Sequence, residues 1–114
     1  VGHANLWPGT VVAPDAVDTP IGRLVTARHH HANGSNITVL VRPERVKPGA
    51  ASDRINEFAG TLSRDRFLGA LRRFDLAVPG GVIVGETAEA DPIAKVHIRP
   101  EYVTILNDEP QQRT

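Results

Sequence analysis

The side chains best suited to chemistry are three adjacent histidines (His29, His30 and His31), four arginines (Arg64, Arg66, Arg72 and Arg73) and three serines (Ser35, Ser52 and Ser63). Imidazole is the commonest nitrogen ligand for zinc, copper or nickel, so the histidine run raises the question of a metal site. In a strand, successive side chains point to opposite faces, so only His29 and His31 converge as candidate ligands. Two ligands rarely close a site, and a solvated hairpin arm is the plainer reading. His3 and His97 stand alone and read as surface or satisfied strand residues. The arginines form the one basic cluster, but Asp65 and Asp75 are interleaved with them and aromatics are only 4% of the chain. The stacking platform of an oligonucleotide-binding barrel is therefore missing, and a solvated face or interdomain ion pair is expected rather than nucleic acid.

Catalytic patterns are absent from the sequence. There is no G-x-x-x-x-G-K-[ST] loop, and Gly80, Gly81 and Gly85 lack the lysine and hydroxyl that would hold phosphates and magnesium. There is no G-x-S-x-G elbow, and the three serines lie in polar stretches without a nearby base. No catalytic residue, cofactor or enzymatic activity is expected of this chain alone.

The elements that position these residues must fit in a small molecule. At 114 residues and 12.3 kDa the chain fits one compact unit. Thirteen Lys plus Arg balance thirteen Asp plus Glu, so no net field draws in nucleic acid or an anionic membrane. The lack of cysteine excludes disulfides, thiolate metal sites and cysteine nucleophiles, and agrees with a reducing compartment. The apolar runs are far shorter than the roughly 20 residues that a membrane helix needs. The chain begins at Val1 with no charged and apolar leader, which reads as an excised piece. The sequons at Asn33 and Asn36 would matter only after secretion.

Short Val- and Ile-rich stretches separated by Gly, Pro, Asn and Asp recur along the chain, the pattern of strands and turns. A first strand is expected at Thr10, Val11 and Val12, closed by Ala13-Pro14-Asp15. A second is expected over Arg23 to His29 after a turn at Thr19-Pro20-Ile21-Gly22. Asn33-Gly34 supplies a hairpin signal, with Ile37 to Arg42 as the return strand. Val46 to Asp53 reads as a linker between two halves, about 1–47 and 54–106. Beyond it come a strand through Phe58 and Leu62 and a turn around Arg64-Asp65-Arg66. An alternating strand then runs from Leu68 to Val78, with Arg72 the one charge on its apolar face. Helical spacing over Asp65 to Phe74 competes, but Gly69 sits inside it. Pro79-Gly80-Gly81 reverses the chain into Val82-Ile83-Val84, and Ala94 to Arg99 and Val103 to Leu106 complete the set. The tail 107–114 has no apolar anchor and is expected to fray.

An internal repeat stands out. Val39-Leu40-Val41-Arg42-Pro43-Glu44-Arg45-Val46 is echoed 57 residues later by Val96-His97-Ile98-Arg99-Pro100-Glu101-Tyr102-Val103. In each copy proline ends the strand and fixes φ for a turn, glutamate sits where it could accept from freed backbone N–H groups, and arginine could pair with a carboxylate.

With these corners in view, the sequence resembles the TOBE-type C-terminal region of ABC importer ATPases, in particular those for iron(III), polyamines and related small solutes. The resemblance rests on residues 1–6 with Pro8-Gly9, Thr19 with Ile21-Gly22-Arg23-Leu24, and Val41-Arg42-Pro43-Glu44. It continues in Phe58-Ala59-Gly60-Thr61-Leu62, Phe67-Leu68-Gly69 and Val96-His97-Ile98-Arg99-Pro100-Glu101. It implies an all-β, OB-fold-like small barrel over residues 1–106, set in the whole protein behind an upstream ATP-binding domain that this chain lacks. ATP and Mg would bind that domain. It further implies a regulatory, non-catalytic domain that pairs with a second copy of its subunit, contacts its own nucleotide-binding domain and meets membrane permease subunits through the full protein, at the cytoplasmic face of the membrane. The histidine run lies outside the family pattern. Trp7 reads either as an apolar anchor in the barrel or as an interface contact. A rival reading is a small-oxyanion or solute-binding module that uses backbone amides and arginines such as Arg42 or Arg99, and a lesser rival is an OB-type nucleic-acid-binding domain.

Overall fold

The computed structural model describes residues 4–107. Eleven strands, all paired antiparallel, surround one apolar core among these residues: β1 Asn5–Ala13, β2 Ala16–Thr19, β3 Gly22–Val25, β4 Asn36–Val41, β5 Val46–Pro48, β6 Glu57–Ala59, β7 Thr61–Leu68, β8 Leu71–Val78, β9 Gly81–Thr87, β10 Lys95–Ile98 and β11 Thr104–Asn107. They form a five-stranded sheet in the order β11-β4-β1-β2-β3 and two three-stranded sheets, β5-β10-β6 and β7-β8-β9. The fold class is the expected one, all-β. Strand burial alternates with a period of two: β1 buries Asn5, Trp7, Gly9 and Val11 and exposes the residues between, and β8 buries Arg72, Phe74, Leu76 and Val78.

The pairing registers reveal one arrangement built twice. Trp7 opposes Val39 as Phe58 opposes Val96, Val11 opposes Val17 as Leu62 opposes Leu76, and Ala16 opposes Val25 as Asp75 opposes Val84. A register shift occurs at the same place in each copy, after Val11 and after Leu62. The two Arg-Pro-Glu corners share their geometry. Each is a 3-10 turn, Pro43–Arg45 or Pro100–Tyr102, entered from an extended arginine (φ −76°, ψ 142° at Arg42; φ −69°, ψ 140° at Arg99) and left through an extended valine. Proline suits the first position because its missing N–H would have no partner there.

The strands that leave the corners interlock the repeats. β5, after the first corner, pairs with β10 of the second repeat, with Val46 opposite Ile98. β11, after the second corner, pairs with β4 of the first, with Thr104 opposite Leu40. Each repeat thus lends a strand to the other, and neither sheet is complete alone.

Several expectations are corrected. Asn33-Gly34 does form a turn, with Gly34 at φ +87°, but it does not join paired strands: β3 ends at Val25 and pairs with β2, while β4 pairs with β1 and β11. The apolar residues of β4 alternate inward, and burying them between two partners outweighs a local turn preference. The turn expected at Arg64-Asp65-Arg66 is mid-strand, and the reversal falls at Gly69-Ala70, where Gly69 takes φ +68°. The same geometry replaces both the continuous Leu68 to Val78 strand and the helix over Asp65 to Phe74 with a hairpin. Val46–Pro48, read as linker, is a strand. Trp7, which the sequence left as either an apolar anchor or an interface contact, is 8% exposed and packs in the core as the anchor reading expects. The tail beyond 107 lies outside the described residues.

The second repeat differs from the first mainly in its β7–β8 hairpin, eight residues longer than β1–β2 when counted between the equivalent pairs Leu62–Leu76 and Val11–Val17. Where β6 gives way to β7, a Cβ on Gly60 would sit inside contact distance of the Ala77 backbone carbonyl. Gly60→Ala is therefore expected to lower unfolding stability by about 1–3 kcal/mol, the usual cost of overpacking, whereas Gly22→Ala meets no atom and costs only the strain of its positive φ. Urea titrations of the two variants separate the effects.

Candidate functional site

Two asparagines, neither singled out by the sequence, sit where the sheets meet. Asn5 opens β1 at 5% exposure, and its amide nitrogen donates to the carbonyl oxygens of Val41 (3.1 Å) and Val84 (2.9 Å) while its oxygen accepts from the Val84 N–H (2.8 Å). Asn56, just before β6, donates to the carbonyls of Ile98 (2.9 Å) and Val25 (2.9 Å) and accepts from the Val25 N–H (2.8 Å). Each side chain imitates a strand partner for an otherwise open edge, Asn5 tying β1 to β9 and Asn56 tying β6 to β3. Each also holds the carbonyl of the residue just before an Arg-Pro-Glu corner. Asn56 has φ +55°, a left-handed conformation that asparagine tolerates better than most residues. A second repeat was available to find them: Asn5-Leu6-Trp7-Pro8-Gly9-Thr10-Val11 aligns with Asn56-Glu57-Phe58-Ala59-Gly60-Thr61-Leu62.

The corners themselves border two clefts. A cleft of about 350 Å³ lies between the loop Ala50–Asp53 and the second corner, with His97, Arg99 and Glu101 in its wall. Arg99 is not free there. Its Nε donates to Glu101 at 2.8 Å, and the Glu101 carboxyl is held below its ordinary pKa by its own backbone N–H and by Arg99. His97 Nδ1 lies 2.9 Å from the Gly49 carbonyl. A smaller cleft of about 200 Å³ is lined by Leu40, Arg42, Arg45, Glu101, Tyr102 and Thr104. Arg45 and Tyr102 occupy equivalent places in the two corners, and the guanidinium lies 3.9 Å from the tyrosine ring centroid, a cation–π contact across the junction of the repeats. Neither Arg42 nor Arg45 has an ion-pair partner among the described residues, whereas Arg99, the counterpart of Arg42, pairs with Glu101. Two guanidiniums and the hydroxyls of Tyr102 and Thr104 offer donors of the kind an oxyanion needs, and Glu101 is the one carboxylate in the wall.

The histidines lie in a loop, not a strand. This loop packs back on the β1–β2 turn, with the His29 N–H donating to the Pro14 carbonyl at 2.9 Å. The His29 and His31 rings do approach, with centroids 5.4 Å apart, but His29 Nδ1 accepts from the His31 backbone N–H at 3.1 Å and its Nε2 is buried without a partner. Among the described residues no group of three or more His, Asp or Glu gathers as a metal would need.

The basic cluster disperses. Arg72, 4% exposed on the core face of β8, donates to both oxygens of Asp65 (2.8 and 2.9 Å) and to the carbonyls of Glu89 and Asp91, pinning the loop after β9 to the long hairpin. Arg73 pairs with Glu86. Hydrogen bonding from Arg72 holds the Asp65 carboxyl below its usual pKa. A lowered folded-state pKa contributes stability that is present above the ordinary carboxylate value and lost as pH falls through the folded one. The stability difference between the parent chain and Asp65→Asn should accordingly be full near neutral pH and shrink under acid, as read by denaturant titrations across the pH range; a constant difference would refute the pairing.

No protein-family model and no curated protein matches the sequence. Among solved structures, the cytoplasmic molybdate-binding protein ModG, with molybdate bound, superposes at a TM-score of 0.75 and 18% identity, over 90% of this chain and 95% of that one. At that identity the likeness speaks to architecture, and the chain has an all-β, OB-like fold of the TOBE type.

Proposed function

We propose that this chain is the non-catalytic regulatory and pairing domain of the ATP-binding subunit of an ABC importer for a small solute of the iron(III) or polyamine kind. The observation that carries the reading is where the resembling segments fall. Ala59-Gly60 lies where β6 of one sheet gives way to β7 of another, and both Arg-Pro-Glu motifs turn the chain so that each repeat lends its strand to the other. In this reading ATP and Mg act on an upstream domain, the permease subunits are met through the full protein, and the setting is the cytoplasmic face of the membrane. No helix of the described residues is long and apolar enough to cross a membrane.

A second reading, a small-oxyanion-binding module, is favoured by the molybdate that ModG carries and by the cleft holding Arg42 and Arg45. Calorimetric titration with molybdate, tungstate, sulfate and phosphate separates the two: a pure pairing domain gives no heat, and a binding module gives heat that Arg45→Ala abolishes. For the leading reading, analytical ultracentrifugation of the chain and of the full-length subunit should detect reversible pairs. Monomers alone in both, at hundreds of micromolar, would contradict it.

A further inference from the structure

The two Arg-Pro-Glu corners share a backbone geometry but not a charge arrangement. In the second corner Arg99 Nε donates to Glu101 at 2.8 Å, so the arginine and the carboxylate neutralise each other. In the first, neither Arg42 nor Glu44 has an ion-pair partner among the described residues, and the Arg42 guanidinium keeps its donors uncommitted to any carboxylate. The cleft of about 200 Å³ draws on both corners, with Arg42 and Arg45 from the first and Glu101 and Tyr102 from the second. The cation–π contact with Tyr102 holds Arg45 in the wall without using a hydrogen-bond acceptor, so its N–H groups stay available. Glu101 stands in the walls of both this cleft and the larger one. Its own backbone N–H and Arg99 hold its carboxyl below the ordinary pKa, so near neutral pH it accepts hydrogen bonds and donates none. A carboxylate has about four lone-pair sites, and those two bonds leave acceptor capacity over.

We infer that Glu101 selects among oxyanions at this cleft, admitting those that still carry a proton, such as hydrogen phosphate and hydrogen arsenate, over fully ionised ones such as sulfate, molybdate and tungstate; the inference rests on the oxyanion-binding reading above and gives it a ligand class. All five are tetrahedral, and two arginines alone would favour whichever carries the most charge. They differ near neutral pH in one respect, the O–H that phosphate and arsenate retain. That O–H donates to the Glu101 carboxylate while the remaining oxygens accept from the guanidiniums. A sulfate or molybdate oxygen has no hydrogen to offer, so it meets the carboxylate lone pair against lone pair and negative charge against negative charge. A site that accepts a ligand's O–H penalises the analogue without one. The Glu101 side chain is 49% exposed, and solvent screening keeps this penalty well below that of a buried site.

Calorimetric titrations of the chain at neutral pH and low salt test the selection. Phosphate and arsenate should bind at least about tenfold more tightly than sulfate, molybdate or tungstate. Glu101→Gln removes the charge and adds an N–H donor, so it should bring sulfate and molybdate within about threefold of phosphate. Arg99→Gln removes the partner but keeps the carboxylate, and it should retain the preference for phosphate. Both variants alter only an exposed ion pair and should melt with the parent chain. Sulfate or molybdate binding as tightly as phosphate in the parent, or a preference that survives Glu101→Gln, would overturn the selection and leave oxyanion binding standing. A preference lost equally in Arg99→Gln would assign it to the ion pair rather than to the acceptor, and also overturns it. Heat from none of the five anions overturns the binding reading itself.

Discussion

The architecture depends on two buried carboxamides that complete sheets the backbone leaves open. β3 and β9 are end strands of their sheets, and an unpaired edge in the interior would strand N–H and C=O groups away from water. Asn56 and Asn5 supply the missing ladder bonds to Val25 and Val84, and with their third bonds they anchor the entry to each corner. Only an amide offers a donor and an acceptor in that spacing. Aspartate would set an anion against carbonyls, and leucine would leave the edge N–H and C=O of Val84 or Val25 without these partners.

This constraint shapes the rest of the molecule. Because each asparagine fixes the strand end before a corner, the corners leave at a defined angle, and the strands beyond them cross to the opposite repeat. The crossing brings Arg45 over Tyr102 and makes the junction cleft. The same exchange joins the two repeats in one apolar core, with Trp7, Val39 and Val41 from the first and Phe74, Leu76 and Ile98 from the second. Departures from symmetry are where the repeats acquire separate roles: the longer β7–β8 hairpin is pinned by Arg72, and the second corner's Arg99 is paired where the first corner's Arg42 is not.

Much of this was legible in the residues. Prolines and glycines marked the reversals at Pro14-Asp15, Pro20-Ile21 and Pro79-Gly80, and the Arg-Pro-Glu echo marked equivalent corners. Arg72 was visible as a charge on an apolar face. The asparagines were hidden because their repeat runs at an offset of 51 residues rather than 57, a mismatch created by loops and hairpins of different length, and because a polar residue at a strand's beginning looks like a boundary. Asn33-Gly34 and Arg64-Asp65-Arg66 depart from their local signals for one reason: burial of the alternating apolar face decides strand pairing over turn preference and charge.

The most direct measurement is equilibrium unfolding of Asn5→Ala, Asn56→Ala and the double variant, monitored by both tryptophan fluorescence and circular dichroism. Each single change strands buried backbone groups and should remove about 3–5 kcal/mol, on the scale of about 1–3 kcal/mol per unsatisfied group, with both probes reporting one shared transition because the repeats are interlocked. Losses under about 1 kcal/mol, or two separate transitions, would contradict the account.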